Sequence, residues 1–202
     1  MAVRRIVYLG EPVLREQAGA IEEISDDVVA LAQDLVETML EADGLGLAAP
    51  QIGEARRVIA VRVVGEDRED EGDRPRVVVL INPEIVATSD EREEGTEGCL
   101  SLPTLQGQVE RHVGVEVKAV GVDGEEIVVS AEGIVARALQ HEIDHLDGIV
   151  FIDRAQPDSL VWLVPDEDEE DGYREEPTTV EEVVARFEKI SKRRMARAAG
   201  KS

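Results

Sequence analysis

Residues 140–145 read Gln-His-Glu-Ile-Asp-His. They contain H-E-x-x-H, in which two imidazoles one helical turn apart can bind a single cation while the glutamate next to the first reaches the water beside it. His141 and His145 are therefore candidate metal ligands and Glu142 a candidate proton carrier. The bland alternative is an exposed amphipathic helix that happens to carry two histidines. Against it, Ile134, Ala138, His141 and His145 fall at steps of four, three and four, so they share one stripe of a helix. Imidazoles facing a core without a partner are costly, which favours a bound cation.

A catalytic tetrahedral site takes three protein ligands and keeps one position open, so a third ligand is needed. The metzincin continuation requires histidine at position 151, and Phe151 stands there. His112, the remaining histidine, falls in a hairpin-like stretch where a surface role is commoner. A glutamate among Glu167 to Glu170 is conceivable, but that stretch reads as solvated. Cys99, the single cysteine, is the better candidate. It lies in Glu97-Gly98-Cys99-Leu100-Ser101, where glycine permits close backbone approach, and a thiolate binds soft or borderline cations strongly. The segment from Gly44 to Gly53 is too rich in glycine and proline for a regular element and too apolar for a surface loop, so it is expected to line something.

The elements that must position these groups can be read from periodicity and breakers. Ser25 is placed to cap a helix with Val28, Leu31, Leu35 and Met39 on its apolar face, running to Asp43 before Gly44. Arg57 to Val64 and Arg76 to Ile81 read as strands separated by an acidic, mobile loop. Val113 to Val122 and Glu126 to Val129 read as a hairpin turning through Asp123-Gly124. Ser130 is expected to open the helix that carries the histidines to about Leu146. A short strand, Ile149 to Ile152, follows, then an apolar run at Trp162 to Val164. A terminal helix begins after Pro177, with Thr178 and Glu181 or Thr179 and Glu182 as alternative capping boxes. The expected fold class is α+β, with mixed or antiparallel β-sheets around a central metal-binding helix, flanked by an N-terminal and a C-terminal helix. A chain of 202 residues fits one domain: a core over about residues 6–152, an acidic insertion at 165–177 and a C-terminal helix at 178–200.

Composition narrows the function classes. Aromatic residues make up 2% of the chain, so the core must rest on Val, Ile, Leu and Ala. A formal net charge of -23 argues against DNA or other nucleic acid as a primary ligand, since phosphate contacts need a basic footprint. Two acidic runs, Glu66 to Asp73 and Asp166 to Glu176, read as solvated loops; adaptation to high salt is the sharper, less favoured reading. There is no signal-like apolar stretch near the start and no ~18-residue apolar run, so no membrane segment is expected and the cytoplasm is the expected location.

Three segments together resemble the peptide deformylase family. Gly44-Leu45-Gly46-Leu47-Ala48-Ala49-Pro50-Gln51 is similar to its first motif, Glu97 to Ser101 to its second and Gln140 to Asp147 to its third, in the family's order and spacing. Gly10 to Arg15 is similar to its amino-terminal segment, so the resemblance spans about Ile6 to Ile152. It implies removal of the formyl group from the initiator methionine of newly made polypeptides, releasing formate. It also implies Cys99, His141 and His145 as ligands of one divalent cation, Fe2+ typically, with Zn2+, Ni2+ or Co2+ able to replace it. Glu142 would move the proton. The Gln51 side-chain amide and the Leu100 backbone N–H would stabilise the oxyanion. Gly46 would offer its backbone to the substrate; a methionine side chain also needs an aliphatic wall, for which Leu45 and Ile134 are the expected residues.

Two departures accompany the resemblance. Where some members carry an arginine that holds the peptide backbone, this chain has Gln106, which leaves Arg111 as the nearest basic candidate. The acidic runs exceed the compact family pattern. The partners implied are N-formylmethionyl nascent peptides and the ribosome, through the basic end of the terminal helix, although basic charge there also suits the helix macrodipole. Two other classes compete: a metallopeptidase, which the Cys99 ligand opposes, and a binding protein with a structural cation, which would need a fourth ligand that is not evident.

Overall fold

The structure is a computed structural model and describes residues 2–63, 76–169 and 171–199, with side chains as far as residue 194. Helix α1 (Asp26–Glu41) buries Val28, Leu31, Leu35 and Met39, as its period requires. It ends two residues earlier than expected, and the Gly44 N–H closes its last turn on the Met39 carbonyl at 2.9 Å. Ser25 precedes the helix but does not cap it through its side chain, because its hydroxyl is taken by the Asp27 carboxylate.

One sheet has five strands, β1 (Gly46–Ala48), β2 (Val58–Arg62), β3 (Val77–Thr88), β6 (Gly114–Val120) and β7 (Glu126–Glu132), in the order β1-β2-β3-β6-β7. A second has four, β4 (Arg92–Cys99), β5 (Leu102–His112), β8 (Val161–Pro165) and β9 (Tyr173–Pro177), in that order. Every pairing between these strands is antiparallel. Helix α2 (Gly133–Leu146) touches β1, β2 and β7 of the first sheet and β5 of the second, which makes it central. Strand β2 is apolar on consecutive residues because both its faces are covered: Ile59 and Val61 pack on the α2 side, Val58 and Ala60 on the α1 side.

Three expectations are corrected. Ser130 does not open a helix. Residues through Glu132 stay in β7, whose backbone pairs Glu116 with Ser130 and Gly114 with Glu132, and α2 starts only at Gly133, with φ 57°. Ile149 to Ile152 is not a strand; no neighbour offers it a ladder, and the chain makes a 3-10 turn at Phe151–Asp153, with the Asp153 carboxylate accepting the Val150 N–H. The second acidic run is not wholly a loop, because β9 lies within it and pairs with β8. The first acidic run lies wholly outside the described residues.

The long β4–β5 hairpin was not foreseen, because Arg92 to Gly98 is charged and half exposed and gives no clean alternation. Helix α3 (Val180–Ala199) is capped by the Thr179–Glu182 pair: the Glu182 N–H donates to Thr179 Oγ1 at 3.3 Å, and the Thr179 N–H donates to the Glu182 carboxylate at 3.4 Å. Its Val183 and Phe187 join Leu9, Leu105, Phe151 and Trp162 in the core behind the second sheet. No helix among the described residues is long and apolar enough to cross a membrane.

Candidate functional site

Three elements meet at one cavity. The first is α2, whose apolar stripe against both sheets turns His141, Glu142 and His145 inward, all of them buried. The second is the end of β4, where an irregularity in the ladder between Gly98 and Cys99 turns the cysteine out of strand register. The third is the 3-10 turn Ala49–Ile52 after β1, which delivers Gln51. The cavity encloses about 610 Å3 and is lined by Gly46, Gln51, Cys99, Leu100, His141 and Glu142 among others.

Cys99 Sγ and one ring nitrogen from each of His141 and His145 lie within 4.8 Å of one another. Sγ is 3.3 Å from His145 Nε2. His141 Nδ1 is bonded to Glu97 Oε2 at 2.9 Å, which fixes the ring and leaves Nε2 as its free donor atom. The donor set, one thiolate and two imidazoles, suits a borderline divalent cation. Glu142 Oε2 is buried with no protein partner among the described residues, so a polar group from outside the chain must satisfy it. The residues therefore fit a metal site with an open face. Neither His112, whose Nδ1 is 2.6 Å from the Ser89 carbonyl, nor any glutamate from Glu167 to Glu169 belongs to the cluster among the described residues.

Burial pushes the Glu142 carboxyl up to about 7, against the opposing pull of His141, so near neutrality it can both accept and return a proton. Burial alone would also raise Glu97. Hydrogen bonds from His141 and Arg111 instead hold it down at about 2, an anion beneath the histidine. His141 is raised well above its usual range, despite burial, by hydrogen bonds to Cys99 and Glu97; His145 is pushed well below it by burial and by His141.

Gln51 is held rigidly. Its carbonyl accepts the Ala48 N–H at 2.7 Å, so its amide N–H2 faces Cys99 Sγ at 3.5 Å and Ser101 Oγ at 3.4 Å. That leaves a side-chain donor aimed into the cavity beside the thiol, with the backbone of Leu100 on the adjoining turn. Gly46 is glycine for a reason the sequence did not reveal: a Cβ there would collide with the Glu142 carboxylate, with Cγ at 2.7 Å. Leu45 and Ile134, the expected methionine wall, both line the cavity and are 41% and 49% exposed.

Arg111 is corrected as a peptide anchor. It is buried, pairing through Nε and Nη2 with both Glu97 oxygens at 2.9 and 3.0 Å, and through Nη1 with Asp144 at 2.6 Å. Asp144 also takes a fork from Arg154 at 2.6 Å. The arginine at the cavity is Arg137, which sequence reasoning missed although it sits one turn before His141. Its guanidinium is committed to Glu97 at 3.0 Å and to the carbonyls of Val109 and Glu93 at 2.8 Å, so it ties α2 to the β4–β5 hairpin. Gln106 does line the cavity.

The chain matches the polypeptide deformylase family over residues 3–160. It is 53% identical to a peptide deformylase of Natranaerobius thermophilus over 156 residues, covering 77% of this chain and 94% of that one. It is 50% identical to a peptide deformylase of Thermomicrobium roseum over 170 residues, covering 84% and 96%. Its fold is similar to that of a Met-Ala-Ser-bound class I type b peptide deformylase from Acinetobacter baumannii, with a TM-score of 0.69 and 39% identity, covering 76% of this chain and 98% of that one. On these grounds the chain belongs to the peptide deformylases, metal-dependent hydrolases that remove the formyl group from the amino terminus of nascent polypeptides.

Proposed function

We propose that Cys99, His141 and His145 hold one divalent cation, ferrous iron foremost, and that Glu142, Gln51 and Leu100 carry out deformylation at it. The observation that carries this reading is the convergence of one sulfur and two imidazole nitrogens within 4.8 Å beside a buried carboxylate whose Oε2 has no partner among the described residues. When bound, such a cation acts as a Lewis acid and lowers the pKa of water toward ~7. Glu142 takes the proton of the attacking water and passes it to the nitrogen of the departing amine, so that formamide plus water becomes formate and a free amino terminus. The Gln51 amide and the Leu100 N–H donate to the formyl oxygen as negative charge grows on it. Gly46 presents its backbone to the formamide group, and Leu45 and Ile134 take the methionine side chain.

The Met-Ala-Ser ligand of the Acinetobacter enzyme supports a peptide in the corresponding cavity here. Residues 6–152 form the catalytic core in this reading, the substrates are N-formylmethionyl nascent peptides, and the place of action is the cytoplasm. Anaerobically purified protein should contain one transition-metal ion per chain and release formate from formyl-Met-Ala-Ser without cleaving unformylated casein. A folded protein that binds no such metal, or that releases no formate, sinks the reading.

Docking on ribosomal RNA through the outer face of α3 is a second proposal, supported by exposed Lys189, Lys192 and Arg193. The apolar face of α3 is already packed on the core, so reversing those three charges is a cleaner test than deletion. Unchanged co-sedimentation with ribosomes would end it.

A further inference from the structure

Strands β8 and β9 carry the chain beyond residue 160, where the family match stops. They are not a detached appendage, because β8 pairs with β5 at Leu105↔Trp162 and Gln106↔Val161. Side chains alternate along a strand, and directly paired residues share a face. Trp162 and Val164 point with Leu105 into the core under α3. Val161 and Leu163 must therefore point the other way, with Gln106, and both Gln106 and Leu163 do line the catalytic cavity. The register then extends this face onto β9, where Glu175 pairs with Leu163 and Tyr173 with Pro165.

The cavity thus has a wall running from Cys99 on β4, over Gln106 on β5, to Leu163 on β8, and a continuous shelf beyond it on β9. The shelf carries a half-exposed ring, Tyr173 at 51%, and an exposed carboxylate, Glu175. Glu175 has no ion-pair partner among the described residues, whereas its neighbour Arg174, on the opposite face, is paired with Asp166 and Glu176.

We propose that the β8–β9 hairpin is a downstream subsite for the nascent peptide, in which Leu163 and Tyr173 contact the chain and Glu175 favours a basic residue some four positions beyond the formyl group. This rests on the deformylase reading of the cavity. The distance follows from strand geometry: three spacings of ~4.8 Å from β4 to β9 make ~14 Å, which an extended peptide at ~3.3–3.6 Å per residue spans in about four residues. The hairpin also offers a physical use for part of the acidic run, and a hold on the peptide where Gln106 replaces the arginine of some relatives.

The test compares kcat and KM of the metal-loaded full chain on formyl-Met-Ala-Ser-Lys-Lys and formyl-Met-Ala-Ser-Glu-Glu at low salt. Wild type should favour the lysine peptide by about threefold, mainly in KM, the size expected of an exposed ion pair, and lose the preference at high salt. Glu175→Lys should invert the ratio, while any general damage to the fold would scale both peptides alike and leave it. Leu163→Ala should raise KM for both. Equal kinetics on the two peptides in wild type, or a ratio untouched by Glu175→Lys, overturns the subsite while leaving deformylation intact. Failure to release formate from either peptide removes the deformylase reading and the subsite with it.

Discussion

At the scale of single residues, the site works by denying side chains their freedom. Glu142 is wedged where a Cβ on Gly46 would stand, so Gly46→Ala should lower kcat at least tenfold while leaving the melting temperature within a few degrees; a full-speed variant would show that the carboxylate needs no such room. Glu142→Gln removes the proton carrier but keeps the shape, and should cost about 10²- to 10⁴-fold in kcat with metal content unchanged. Gln51→Leu should cost about 10²- to 10³-fold, as the loss of one oxyanion donor does, and a near-normal kcat would acquit it. Glu142 was legible because the H-E-x-x-H chemistry dictates residue type and spacing, whereas Gln51 and Gly46 were marked by the resemblance of residues 44–51 to a family motif. Arg137 and Glu97 were not read as parts of the site, since an arginine and a glutamate in a chain that is 33% charged carry no mark of burial in their local sequence.

At the scale of elements, α2 is held between the sheets by more than apolar packing. Arg111 bridges Glu97 of β4 and Asp144 of α2, and Glu97 in turn orients His141. Removing Arg111 would leave Glu97 with Arg137 and Asp144 with Arg154, so the cost falls below the about 3–5 kcal/mol of a fully uncompensated buried charge. Arg111→Leu should therefore lower the melting temperature by several degrees, less than the roughly 6–20 °C that a fully uncompensated charge would cost at about 2–4 °C per kcal/mol, and should also loosen metal retention. An Arg111→Leu protein that melts normally would reduce the network to decoration. Periodicity revealed α1, α2, α3 and the β6–β7 hairpin. It misplaced the start of α2 because Ser130 is as good a cap as any locally; only the cross-strand partners Gly114 to Glu116 keep residues 130–132 extended. It missed β4 and β9 because both are charged, mostly exposed strands without apolar alternation of their own, held by pairing with the neighbouring β5 and β8.

For the whole molecule, a net charge of -23 means that folding concentrates like charges, and added salt should screen the repulsion. If the acidity is an adaptation, the melting temperature rises steadily across a salt series; a flat profile leaves the acidic runs as solvated surface. α+β architecture with sheets around a central helix was foreseeable from the element order, but which strands belong to which sheet was not, because strand count alone does not say which strands pair.

The packing of α3 brings late and early parts of the chain together. Tyr8 and Phe187 meet edge to face with ring centroids 6.1 Å apart, and Arg194 lies 3.9 Å from the centre of the Tyr8 ring. A ribosome delivers residue 8 long before residue 187, so the apolar back of the Cys99-bearing hairpin cannot be sealed until residue 187 has been made. Maturation of the cysteine's surroundings is thereby deferred until residue 187 has emerged and a contact of very long sequence separation is finally allowed to form.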